Sequence, residues 1–552
     1  MKNKFIYLAI IAAGFASCEP EFENEVGANY SSGEADFTTY VAVGNSLTAG
    51  YMDGTVSRVG QTYSFPNLLA QQFALVGGGA FSQPSFAQDA NNLGGILGVP
   101  GFNTRLVINA SPKIGPNGGL VYDANKNIVT NGLQSIAGTS TITLAPQATA
   151  YNNMGVPGAK SFHLLIPGYG SLNPYFARHA RTPNATVLAD AMSKAPTFFT
   201  NWIGANDVLA YATTGGIGVD QIGNQNIGSY GVNDITDPSA FAFHYNLIIN
   251  GGTHPVFGAV TGLTQNGAKG VVATIPSVTS IPFFTTVPYN PLTVLSFGND
   301  STKSRQEQSV ENQILVGTAT INQLNAQLYS PLKQALSAFG AGSRINLLST
   351  TGGNPLLIKD ESLLNLSAQL TIAFTPTLGA TTAAFYGNVF GQARQATADD
   401  LILLTTSSVI GTAPANIPAP LDKFGITYPL QDQHVLIPSE KTAIANATAA
   451  YNASIRSIAA TKNLAVADMN AIMNQLITGL RIETGQVYTA NYFSGSATEG
   501  LVLFSLDGVH PNARGYAVIT NEIIKVINAH YKSNLPLHNP SYFPGINIVG
   551  SN

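Results

Sequence analysis

The 552-residue sequence predicts an α/β fold, a parallel sheet flanked by helices on both faces, on three observations. Short apolar runs of strand length alternate with stretches of helical periodicity, the rhythm that lays crossover helices over a parallel sheet. No repeat of fixed period, heptad run or proline-rich linker breaks that rhythm. Apolar residues make up 45% of the chain and charged ones only 10%, so a large core can be buried without disulfides.

Residues 1–17 read as an export signal. Met1-Lys2-Asn3-Lys4 is a positive start, and the apolar run from Phe5 to Phe15 is shorter than the ~20 residues a spanning helix needs. It closes on Ala16-Ser17-Cys18, where the chain's only cysteine sits as the lipid-bearing residue does in the lipobox of bacterial lipoproteins, with Phe15 in place of the usual leucine. The bland reading is a cysteine discarded with the signal. Residues 18–36 follow as a solvated tether, with Glu19, Glu21, Glu23 and Glu25 ahead of a Gly/Ser stretch. Such an acidic run is similar to signals that send lipoproteins to the outer face of the outer membrane, and a plain charged linker fits it too. The expectation is an exported protein, anchored to the outer membrane through lipid on Cys18.

The body of the protein is expected over 37–535. Phe37 to Val43 reads as a buried strand ending in Gly44, and Pro66 to Phe73 as a helix. From 77 to 141 the pattern is irregular, with a hairpin candidate joining Leu106–Ile108 to Leu120–Val129, and reads as an insertion. Tyr151 to Gly158 looks like a strand end turning into a helix, and Thr197 to Ile203 like another strand. Ala240 to Leu263 reads as mainly helical and Gly270 to Pro276 as a strand. Ile314, Ile321, Leu324, Leu328, Leu332 and Leu336 recur at helical spacing, predicting one long amphipathic helix on the sheet. A second insertion of short strands and turns, including Leu401 to Thr405, is expected over 340–432. Regular order returns with a helix from Pro438 carrying Ile444, Tyr451, Ile455 and Ile458, then the strand Leu464 to Ala467. A closing helix after Pro511 carries Tyr516, Ile519, Ile523, Val526 and Ile527, and 536–552 reads as a tail.

Two segments carry chemistry. Gly44-Asn45-Ser46-Leu47 places a serine at a strand's carboxyl end, where parallel sheets leave a crevice. Asp507-Gly508-Val509-His510, far along the chain, adds an imidazole and a carboxylate. A serine hydroxyl attacks poorly until a base takes its proton, and the imidazole works best when a carboxylate fixes its tautomer. Because these residues lie at opposite ends, one domain must bring them together.

In these segments, and in Asn153 to Gly158 and Gly204-Ala205-Asn206-Asp207, the chain resembles the SGNH, or GDSL-type, hydrolase family, whose blocks occur here in the same order. The resemblance implies a three-layer sandwich, Ser46 as nucleophile, His510 as general base and then acid, and Asp507 as its orienter. It implies an oxyanion hole from the amides of Ser46 and Gly158 and the carboxamide of Asn206, with neither metal nor organic cofactor. Asn45 stands where the family has the aspartate that names its first block, and a local change of hydrogen bonding is expected from it. The compact members lack segments such as 77–141 and 340–432.

Each residue also has a bland reading. Ser46 and Asn206-Asp207 could cap helices, Asp507 and His510 could belong to a surface turn, and Gly158 could serve only a tight turn. Asp207 reads as structural, Gly155 as the lesser donor candidate, and Trp202, Phe283 and Phe284 as core. The Gly-x-Ser-x-Gly elbow of α/β-hydrolases is absent, since Thr48 occupies the second glycine's place. No histidine spacing suggests a metal site, and Gly77-Gly78-Gly79 lacks the lysine that would make it a phosphate loop. Lys and Arg total 25 without a cluster and the net charge is −4, which argues against a nucleic-acid partner. The reading is an acyl-ester hydrolase whose substrate is a lipid, glycan or small-molecule ester. The alternatives are a lipoprotein that captures glycans or lipids without catalysis, and a structural outer-membrane component.

Overall fold

Five parallel strands form the central sheet: β1 (Tyr40–Gly44), β2 (Asn153–Gly155), β3 (Phe198–Trp202), β4 (Lys269–Ala273) and β5 (Ala465–Ala467), in the order β2-β1-β3-β4-β5. This computed structural model describes residues 29–552 except 85, 87, 116–117, 122–126, 144–149, 300–308, 494–498, 547 and 550–552. The export signal and Cys18 expected from the sequence lie outside the described residues.

Alternation along the strands splits the core in two, because successive side chains point to opposite faces. Val41, Val43, Phe199 and Val272 belong to one apolar cluster, and Tyr40, Ala42, Phe198 and Val271 to the other. Six helices position the site: α1 (Ser46–Ala49), α2 (Phe65–Ala74), α3 (Asn206–Thr213), α4 (Pro238–Asn250), α5 (Pro438–Thr461) and α6 (Ala513–Tyr531). The first cluster is covered by α4 and α5, through Phe241, Tyr245, Tyr451 and Ile455. The second is covered by α2 and α6, through Leu69, Phe73, Ile523 and Ile527. The protein is thus a mixed α/β molecule with helices on both faces of a parallel sheet.

Several expected elements differ in detail. The helix starting near Ala240 stops at Asn250, because Gly251 takes φ +71°, and a hairpin of Gly252–His254 with Gly258–Val260 replaces the rest. The strand Leu106–Pro112 pairs with Thr130–Ser135, later than expected, across a register shift between Asn109 and Pro112. The tail does not stand apart: Pro540 is buried, and Ile548 pairs with Ile108.

The long amphipathic helix exists as Val310–Leu324 and Ser330–Ser337 joined by a wide turn over Asn325–Tyr329. Pro331 has no N–H to give the preceding turn, which opens the ladder there. This helix does not pack on the sheet. Ile321, Leu328, Leu332 and Leu336 join Leu357, Leu370 and Phe390 in a third apolar cluster. Segment 340–432 is also more helical than expected, since Ser367–Leu378 and Ala380–Phe390 form an antiparallel pair within that cluster. Its strand at Leu401–Ile402 is real but short, and pairs with Val435–Leu436.

Candidate active site

The strand order turns back at β1, with β2 on one side and β3 on the other, and this reversal opens a crevice at the strands' carboxyl ends. Ser46 follows β1, the stretch from Val156 to Gly158 follows β2, and Asn206 follows β3. All three therefore face the same crevice by topology.

Ser46 is the first residue of the one-turn helix α1, so its amide has no acceptor within that helix. Asn45 caps α1: its Oδ1 accepts the Leu47 amide at 3.1 Å. A carboxamide oxygen performs this task as a carboxylate would, which makes the expected local change small. Gly155 lets β2 approach α1, since a Cβ there would lie 2.2 Å from the Ala49 nitrogen.

The serine and the imidazole, 464 positions apart, meet. Ser46 Oγ lies 2.8 Å from His510 Nε2, and His510 Nδ1 lies 2.9 Å from Asp507 Oδ2. With Asp507 ionised, Nδ1 carries the proton and donates to it, leaving Nε2 free to accept from the serine hydroxyl. Asp507 Oδ1 accepts the amides of Val509 and His510, both at 2.8 Å, and Oδ2 also accepts the Gly54 amide at 3.0 Å. Burial pushes the Asp507 pKa up, but the His510 charge and these hydrogen bonds outweigh it and hold the carboxyl below its ordinary range.

The loop bearing His510 is pinned from several sides. The Ser505 amide donates to the His510 carbonyl at 2.7 Å, and Asn512 caps α6 by accepting the Gly515 amide at 2.9 Å. The helix therefore starts at Ala513, two residues later than Pro511 suggests. Phe283 donates its amide to the Gly508 carbonyl at 2.9 Å, and a Cβ on Gly508 would meet Leu404 at 2.8 Å. Segment 340–432 thus reaches the triad loop through Leu404.

Sequence reasoning missed the turn Tyr51 to Gly54, which joins a two-residue hairpin. Asp53 donates its amide to Ser505 Oγ at 3.0 Å and accepts the Leu506 amide on Oδ1 at 3.0 Å, while Gly54 binds Asp507. Burial, helped by the charge of Asp507, raises the Asp53 pKa to about 6, against the Leu506 hydrogen bond and Arg105. The Tyr51 ring centroid is 4.5 Å from that of His510. The Asp-Gly dipeptide was the available signal, since it marks a tight turn, but nothing in its spacing points to residues 505–507.

The oxyanion donors implied by resemblance fall around the same crevice. Gly158 holds φ +79°, and the nearest atom to a Cβ built there is Asn173 Nδ2 at 3.9 Å, so its face is open. Asn206 Nδ2 donates to the Ala159 carbonyl at 2.9 Å, which fixes the carboxamide beside this loop and leaves its second hydrogen for another acceptor. Asp207 is buried and accepts the Ser161 amide and hydroxyl, both at 2.8 Å, in a structural bond. Trp202, Phe283 and Phe284 are buried. Among the described residues, no three His, Cys, Asp or Glu side chains converge to hold a metal, and no helix is long and apolar enough to cross a membrane.

No protein-family model matches this chain, and no match was found among curated proteins or solved structures. A hydroxyl hydrogen-bonded to an imidazole, itself held by a half-buried carboxylate, is the arrangement by which serine hydroxyls are activated as nucleophiles.

Proposed function

We propose that this protein is a serine esterase of the SGNH type that hydrolyses an acyl ester at the cell envelope. The observation that carries the reading is the chain of short bonds from Ser46 Oγ through His510 to Asp507. In the proposed reaction Ser46 Oγ attacks the ester carbonyl while its proton passes to His510 Nε2, and Asp507 stabilises the imidazolium. The negative charge on the carbonyl oxygen is met by the amides of Ser46 and Gly158 and by Asn206. The intermediate collapses, the carbon–oxygen bond to the alcohol breaks, and His510 returns the proton to the departing oxygen. Water, deprotonated by the same imidazole, then adds to the acyl-enzyme and releases the acid, restoring Ser46.

In this reading the central sheet is an SGNH-like sandwich, segments 77–141 and 340–432 are additions to it, and Cys18 carries the lipid anchor. The test is fluorophosphonate labelling of the full chain, with hydrolysis of nitrophenyl esters alongside. Wild-type protein should take the label and Ser46→Ala should not, with both melting at similar temperatures. Folded wild-type protein that neither labels nor cleaves any ester refutes the proposal and favours capture without catalysis.

A further inference from the structure

A cavity of about 110 Å³ runs along the carboxyl ends of β1, β3, β4 and β5, touching Leu47, Trp202, Pro276 and Met469 in turn. Its lining includes chain neighbours of the Ser46–His510 pair: Leu47 follows Ser46, and Val509 precedes His510. Met473 and Ile519 also line it, and its lining side chains are apolar apart from the Trp202 indole N–H. None of the lining comes from segments 77–141 or 340–432. The space is partly open to solvent, so a chain seated in it has an exit.

Resting on the esterase reading, we infer that this cavity holds an unbranched apolar arm of the ester and makes the enzyme selective for chains over acetyl groups. The one polar side-chain group in the lining is the Trp202 indole N–H, a single donor that cannot satisfy the several hydroxyls of a sugar, and burying the others there without partners is unfavourable. Size sets the length. A dry apolar cavity of about 150 Å³ accommodates the six carbons of benzene, so this one takes about four to five. Each methylene moved from water into it raises kcat/KM by about fourfold, or roughly 50-fold from an acetyl to a five-carbon group.

The arm is either the acyl chain or the alcohol, and two substrate series separate them: 4-nitrophenyl esters from acetate to octanoate, and alkyl acetates from methyl to hexyl. Each is run on wild type, Ile519→Trp and Met473→Ala, comparing kcat/KM for long and short members within one variant so that the folded fraction cancels. In one series the wild type should climb to about four or five carbons and level off. Ile519→Trp should flatten that climb, and Met473→Ala should move its plateau to longer chains. If the tryptophan variant does not fold, the plateau shift in Met473→Ala decides alone. An enzyme that labels at Ser46 and cleaves esters, yet shows flat profiles or profiles the variants leave unchanged, overturns the cavity assignment only. A protein that cleaves no ester and takes no label overturns the esterase reading and this inference with it.

Discussion

Replacing Asp53 by asparagine should remove a pH dependence of stability that the wild type carries between pH 4 and 6. The Asp53 carboxyl rises from the ordinary 3.8 to about 6, chiefly through burial and further through the charge of Asp507. The folded state therefore holds this proton more tightly than the unfolded chain. The stability it contributes is complete below about pH 4 and is lost as pH rises through about 6. At about 1.4 kcal/mol for each tenfold change in proton affinity, the loss is about 3 kcal/mol. The carboxamide of the Asp53→Asn variant would keep an acceptor for the Leu506 amide, and asparagine tolerates the φ of +55° at this position, but it cannot ionise. Urea denaturation at pH 4, 5, 6 and 7, followed by fluorescence of the single buried Trp202, measures both proteins. The stability of wild type minus that of Asp53→Asn should fall by about 2 kcal/mol across the series. Parallel curves would refute the assignment, because they would mean that Asp53 titrates alike in both states.

Asn206→Ala should lower kcat about 100- to 1000-fold, measured on any ester the wild type cleaves, as expected for loss of one oxyanion donor. Gly158→Ala should cost about 1–2 kcal/mol in urea melts, since φ is +79° while the added methyl meets no atom closer than 3.9 Å. The buried pair His244 and His254 should act in the opposite sense to Asp53. His254 Nδ1 accepts the amides of Val256 and Phe257, so its Nε2–H donates to His244 Nε2 at 3.3 Å, and His244 Nδ1 donates to the Ala240 carbonyl. Burial, above all, pushes the His244 pKa from 6.5 down to about 4. The stability this neutral ring contributes is complete above pH 6.5 and is lost as pH falls towards 4, by about 3 kcal/mol. Wild type minus His244→Gln in urea melts over that range checks it.

What could be read from the sequence was what short range encodes. The runs around Tyr40–Gly44 and Phe198–Trp202 are mostly apolar and buried on both faces, as interior strands of a covered sheet must be, and the Gly-, Asn- and Asp-rich turns after them mark the crevice. Ser46, Asp507 and His510 were legible through their short motifs, and the fold brings them together, whereas Asn206 and Gly158 were singled out through resemblance. The helical pair at 367–390 was not: Thr, Ala, Gly379 and the internal Pro376 hide any amphipathic period, and the pair is stabilised by packing on Leu332 and Leu336 from another segment. The extent of α4 was overread because the apolar residues after Gly251 belong to a hairpin. Asp53 was invisible as a site residue because its partners lie more than 450 positions away.

The long separation has a physical consequence for how the site holds its shape. The bonds from Asp53 and Gly54 to residues 505–507, and from the Tyr516 hydroxyl to the Tyr51 carbonyl at 2.7 Å, form a seam between the two ends of the chain. A second set lies behind it, where the Glu34 amide meets the Tyr531 carbonyl at 2.7 Å and the Tyr531 hydroxyl meets the Gly270 carbonyl at 2.7 Å. Ser46 rides on the turn after β1 at the front of the chain, and His510 rides on the loop entering α6 at its rear. Neither end alone holds Oγ within proton-transfer reach of Nε2, so the seam determines that distance. The third apolar cluster, built from residues between 294 and 421, lies outside this seam, and Leu404, which reaches Gly508, packs with the first cluster instead. Losses of packing in that cluster should therefore lower stability without altering the triad of molecules that remain folded, whereas losses at the seam should alter both together.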